Sequence, residues 1–265
     1  MKIYFFPTSL FWGFALLTSA ASAQVPHSDV EFGYDSLSAP TAFTIEQLNV
    51  TTEGFQIFES AMEELDPLDP GNFSSDEPGF ATNATEGLNV NIGDRFWLNV
   101  LNANVGSLFG VGYVNYFNPA TGLLEATGRI AMEDNSAGTP NLVLDGNSIS
   151  SGVNPQFLGL ATDIGGGLGG VHDHVIFDLL DDVTAPLGAY GILFQLQSDF
   201  ASNGFGSMDL TSDKFWIVWN HGMDEEDFDR LALPAFGVQA IPEPGSLALF
   251  GLASAGFLMR RRRIA

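Results

Sequence analysis

Gly188-Ala189-Tyr190-Gly191-Ile192-Leu193-Phe194-Gln195-Leu196-Gln197 and Lys214-Phe215-Trp216-Ile217-Val218-Trp219-Asn220 are the two stretches whose reading decides the fold. Both are dense in β-branched and aromatic residues, which fit the pleated surface of a sheet better than a helix. Working outward, Asp29–Asp35, Ala42–Leu48, Gly54–Glu59, Arg95–Asn102, Leu108–Phe117 and Val171–Leu180 share that composition. Gly, Pro, Asn and Asp clusters separate them, as turn signals separate short strands. Gln56–Phe58 and Phe96–Val100 add partial period-2 alternation, the pattern of a strand with one buried face. Glu225–Leu233 is the helical stretch, with Asp224 placed as N-cap and Pro234 as its stop. The expected class is all-β, a β-sandwich or jelly roll, over a body at residues 24–240.

Two echoes suggest related halves. Asp94-Arg95-Phe96-Trp97-Leu98 is matched by Asp213-Lys214-Phe215-Trp216-Ile217, and His27-Ser28-Asp29-Val30-Glu31-Phe32 by His172-Asp173-His174-Val175-Ile176-Phe177. Their common order makes an internal duplication, 27–102 against 172–222, a reading to test.

The ends read differently. Lys2, the apolar Leu10–Leu17 and Ala21-Ser22-Ala23 form a secretory signal peptide at residues 1–23, which directs the chain to the Sec export machinery. At the other end stand Pro242-Glu243-Pro244, an uncharged run from Gly245 to Met259, and Arg260-Arg261-Arg262-Arg263. Two prolines keep the first part extended and without donors. The apolar run spans about 22 Å as a helix, short for a membrane crossing, and arginine snorkelling can close that gap. The arginines act as a stop and an orientation signal. This order of parts resembles the PEP-CTERM sorting tail of bacterial exported proteins. The resemblance covers 241–265 and implies transient anchoring in the inner membrane, processing by an exosortase and delivery to the cell surface or extracellular matrix.

The chain carries 32 acidic and nine basic residues. Only Glu243 among the acids lies outside 24–240, while Arg95, Arg129, Lys214 and Arg230 are the basic residues within it. Thirty-one negative charges over four positive ones leave the body at −27. Phosphate recognition needs the opposite sign, so nucleic acid is excluded as a partner. A solvated surface in an extracellular medium, cation binding and repulsion from acidic exopolysaccharide remain. There is no cysteine, which removes disulfides, catalytic thiols and thiolate metal sites together.

The chemistry centres on four histidines. His172 and His174, two apart on a strand, place their rings on one face about 6–7 Å apart at Cα, within reach of one metal ion such as zinc. His221 and His27 would join if the two halves pack together, and Asp173 and Asp29 supply carboxylates. Gly166, His172-x-His174 and Asp178 also resemble part of a cupin motif, without its later glycine or a second motif. The acidic stretch Glu63–Asp69, with Asp76 and Glu77, offers oxygens to calcium. Asp163-Ile164-Gly165-Gly166-Gly167-Leu168-Gly169-Gly170 reads as a loop without the helix that dinucleotide binding requires. Tyr113, Tyr116 and Phe117 are candidates for stacking on sugars or for core. No nucleophile elbow, HExxH or phosphate loop is present. The expectation is a non-catalytic exported surface or matrix protein. A metal- or carbohydrate-binding module is the alternative, and a secreted hydrolase the third reading.

Overall fold

The computed structural model describes residues 29–37, 40, 43–45, 49–64, 73–134, 142–180, 185–199 and 209–238. The signal peptide, His27, the apolar run and the arginine cluster lie outside them. Strands β1 Val30–Tyr34, β2 Phe43–Ile45, β3 Asn49–Val50, β4 Gln56–Ala61, β5 Glu63–Glu64, β6 Phe73–Ser75 and β7 Phe80–Ala81 come first. They are followed by β8 Arg95–Leu101, β9 Asn115–Asn118, β10 Leu123–Glu125, β11 Arg129–Asp134, β12 Leu142–Asp145, β13 Ser148–Gly152 and β14 Gln156–Leu160. The remainder are β15 Thr162–Gly165, β16 Leu168–Gly170, β17 His172–Asp173, β18 Val175–Leu180, β19 Gly188–Asp199 and β20 Asp209–His221. The all-β expectation holds.

β19 and β20 pair antiparallel along their length and form the spine of an eight-stranded sheet. On its other edge β19 pairs with β9 through Ala189–Gly191 and with β8 through Leu193–Asp199. β20 pairs in parallel with β4. Both faces of this hairpin are buried. Phe215, Ile217, Trp219, Tyr190, Ile192 and Phe194 belong to one core. Trp216, Val218, Ala189 and Leu193 belong to a second, with Phe228, Ala232 and Leu233 from a helical segment at 225–235 and Phe236 just after it. A strand covered on both faces has no polar side to show, hence the unbroken apolar runs.

The larger core is closed by two further sheets. A six-stranded sheet, ordered β13-β12-β11-β18-β6-β5, contributes Phe177, whose ring lies 4.6 Å from Trp219 and 6.0 Å from Phe194. A four-stranded sheet, ordered β17-β7-β1-β2, contributes Phe32 and Phe43 against Phe96 of β8, at 5.1 and 5.8 Å. The parallel pairs β4–β20 and β1–β7 depart from an antiparallel jelly roll. Each joins segments far apart in sequence, so the intervening chain serves as the long crossover a parallel pair requires.

Several local expectations change. Of Leu108–Phe117 only the end forms a strand. Upstream, a Cβ at Gly112 would sit 2.0 Å from the Gly146 carbonyl, and Asn115 accepts from the amides of Val111 and Gly112. The glycine run Asp163–Gly170 is not a plain loop but the β15–β16 hairpin, turning through positive φ at Gly165, Gly166 and Gly167. At 225–235 the helix contains a π turn, Phe228–Ala232. Asp224 makes no side-chain cap, and Pro234 sits inside the final turn, Leu233–Ala235. Pro234 lies in the first turn of that short helix, where the missing proline donor is tolerated. The echoing segments have unlike neighbours: β8 lies between two antiparallel strands, β20 between one antiparallel and one parallel. Val30–Phe32 and Val175–Phe177 fall in different sheets. Pairing gives the two proposed halves no equivalent setting.

Trp219 is fully buried and its indole N–H donates to the Glu77 carbonyl, 3.1 Å away. Trp219→Ala is expected to cost about 3–5 kcal/mol in chemical denaturation. Leu123→Ala, at a side chain 64% exposed, is expected to stay within about 0.5 kcal/mol.

Candidate metal centre

The site arises from strand direction. β1 runs parallel to β7, with Val30 opposite Phe80, and β17 runs antiparallel to β7, with Asp173 opposite Phe80. The residue before Val30, the residue before Phe80 and the residue after Asp173 therefore fall at one end of the three strands. They are Asp29, Gly79 and His174. His172, two residues back from His174, projects from the same face.

Gly79 sits between the two outer side chains and lets them meet. A Cβ there would lie 2.6 Å from Asp29 Oδ1 and 2.7 Å from His174 Cε1, closer than side chains tolerate. In the space it leaves, His174 Nε2 is 3.1 Å from His172 Nε2, and His172 Nε2 is 3.3 Å from Asp29 Oδ2. One donor atom from each of Asp29, His172 and His174 lies within 4.8 Å of the other two.

The tautomer of His174 follows from its neighbours. Its Nδ1 is 2.8 Å from the Asp76 carbonyl, which can only accept, so Nδ1 carries the proton. In the neutral ring Nε2 then presents a lone pair to the cluster. Asp76 is held in turn: Ser75 Oγ donates to the Glu77 carbonyl, and the Glu77 carboxylate accepts from the Gly79 amide at 3.2 Å. Partial burial disfavours the His174 cation. The hydrogen bond to Asp76 and the charges of Glu77, Asp29 and Asp76 outweigh it and raise the pKa above the usual 6.5.

The other sequence candidates are placed elsewhere. Asp173 faces away from the two rings because successive side chains on a strand alternate, and its Oδ1 accepts from the His174 amide. His221 is buried at the end of β20, its ring 4.5 Å from Phe73 and 6.0 Å from Tyr190, in the core and not at the cluster. His27 lies outside the described residues. Asp178 pairs on β18 with Ala131 and Ser74 and does not join the group. Of the acidic stretch offered for calcium, Glu63 and Glu64 form an exposed edge strand, and Asp76 contributes its backbone carbonyl to His174. Tyr116 and Phe117 are core and Tyr113 packs against it. Among the described residues, Trp97 and Phe157, the latter 54% exposed, form a ring pair that reaches the surface. Gly79 and the Asp76 carbonyl were not legible, because the β1–β7–β17 arrangement has no local sequence signal.

Val238, the last described residue, is bridged to Thr51, and among the described residues no helix is long and apolar enough to cross a membrane. Two residues further on, the family model of the PEP-CTERM protein-sorting motif matches residues 240–263. The chain therefore carries the sorting tail of an exported, exosortase-processed surface protein. The match covers the tail and not the body. No curated protein and no solved structure matches the chain.

A raised His174 pKa favours the folded state while the ring is charged. That stability is fully present below the ordinary histidine value and is lost as pH rises through the folded value. In chelator-treated protein, the His174 ring protons are expected to titrate by NMR with a midpoint above 6.5. His174→Gln should remove the corresponding fall in denaturation midpoint.

Proposed function

We propose that this is a non-catalytic cell-surface or extracellular-matrix protein. It is exported through the Sec machinery, held briefly in the inner membrane by its tail and released by an exosortase near Pro242-Glu243-Pro244. The sorting motif at 240–263 carries this reading. The site of processing suits the body's architecture. Val238 donates to the Leu233 carbonyl and Thr52 to the Gly237 carbonyl, so these contacts of the described body stand upstream of the motif. Cleavage beyond them leaves the two cores intact.

The body's surface supports an extracellular role. Arg95 pairs with Asp199, Arg129 with Asp145 at 2.9 Å and Arg230 with Asp227 at 2.6 Å, while Lys214 donates to the Gly106 carbonyl at 2.9 Å. With its cations engaged locally, the surface presents mostly carboxylates. Such a surface stays solvated and is repelled by acidic polymers, which suits a spaced, soluble component beside acidic exopolysaccharide.

The test is Glu243→Ala in the exporting host. Wild-type body is expected at the cell surface or in the medium with a mass lacking the tail, and the variant in the membrane fraction with the tail attached. Identical masses and fractions for the two would refute processing at this segment.

A further inference from the structure

We propose that Asp29, His172 and His174 bind one zinc-class transition-metal ion, which staples the first strand of the body to the β17–β18 connection. This goes beyond sorting, which concerns the tail alone. Three independent features of the geometry converge on it.

The first is spacing. Zinc bonds to imidazole nitrogen and carboxylate oxygen are about 2.0–2.1 Å, so tetrahedral donors stand roughly 3.3 Å apart. The Nε2–Nε2 and Nε2–Oδ2 separations are 3.1 and 3.3 Å. Two of the three donor separations already match the edge of the coordination polyhedron, and the third lies within 4.8 Å.

The second is orientation. The Asp76 carbonyl accepts the hydrogen bond of the His174 Nδ1–H and aims Nε2 inward, the arrangement by which an outer partner sets the tautomer of a ligating histidine. The Glu77 carbonyl beside it is held by the buried indole of Trp219, so the support is anchored in the core.

The third is the glycine at 79. A single methyl group there would collide with both Asp29 and His174.

The donor set selects the class of ion. Two imidazoles and a carboxylate suit zinc and its neighbours, whereas calcium takes six to eight oxygens at about 2.3–2.6 Å. The side chain of His172 is 64% exposed, which leaves the remaining coordination to water and the site open to ions in the medium. The physical role is a cross-link. In a chain without cysteine, an ion joining residue 29 to residues 172 and 174 binds the folded state and not the unfolded one, and so stabilises the body by linkage.

The experiment uses the purified full-length chain in detergent, stripped with a chelator and titrated with zinc chloride. One zinc per chain is expected, with the melting temperature raised by roughly 5–10 °C at a hundredfold excess over Kd. His172→Ala, at an exposed position where folding is not at risk, is expected to weaken zinc binding at least about tenfold and to cut the shift at the same zinc concentration to roughly half or less. Gly79→Ala, which changes no donor, should weaken it similarly. Asp163→Asn, on the β15–β16 hairpin, should bind as wild type. Calcium chloride alone should leave the melting temperature unchanged. Equal zinc binding by wild type and His172→Ala, no stoichiometric zinc in wild type, or an equal shift with calcium would each overturn the proposal.

Discussion

The double-sided burial of the β19–β20 hairpin is the constraint on which the other elements depend. Twelve and thirteen residues long, these strands carry Trp216, Val218 and Leu193 on one face and Phe194, Ile217 and Trp219 on the other. Leaving either face in water would forfeit roughly 1.5–3 kcal/mol for each large side chain. One side is covered by the six- and four-stranded sheets, the other by the segment at 225–235. Gly191 shows how close that second layer comes, since a Cβ there would lie 2.3 Å from the Phe236 ring.

The candidate metal centre hangs from this core through a short chain of contacts. Trp219 holds the Glu77 carbonyl, the neighbouring Asp76 carbonyl orients His174, and the Gly79 carbonyl accepts from the Val30 amide at 2.7 Å beside Asp29. The segment 76–79 therefore links the core, the first strand and the histidine pair. Its acids looked like a calcium loop in one dimension. In three dimensions its backbone does the positioning, and the Glu77 carboxylate is turned to the Gly79 amide.

Legibility followed the range of the interactions. β1, β4, β8, β19 and β20 were readable because each carries its own apolar pattern. β6, β7 and β11 to β14 were not, being short, polar or glycine-bearing, and existing through partners distant in sequence. The edge strand β13, Ser148–Gly152, is mostly exposed and has no apolar signature at all. The glycine run at 163–170 was legible as a turn but not as a hairpin, since glycine permits positive φ without saying which strands will meet. All three donors of the candidate centre are named by the sequence, but only the histidine pair is placed by it: His172 and His174 are two apart, and that spacing alone sets them on one face, whereas nothing local sets Asp29 beside them. Asp173 was misplaced by the same rule, because the intervening residue on a strand points the other way.

The sequence by itself determined the class of the body, its charge, its lack of disulfides and its destination. Composition, periodicity and the tail segment are local properties, written residue by residue. Tertiary structure alone decided which strands are neighbours and in which direction they run. That choice set Asp29 beside His172 and His174, put Gly79 between the outer two, and sent His221 into the core. The reason is physical: strand pairing is made by backbone hydrogen bonds that are the same for every residue, so the partner of a strand is selected by the burial of whole faces, which no single segment encodes.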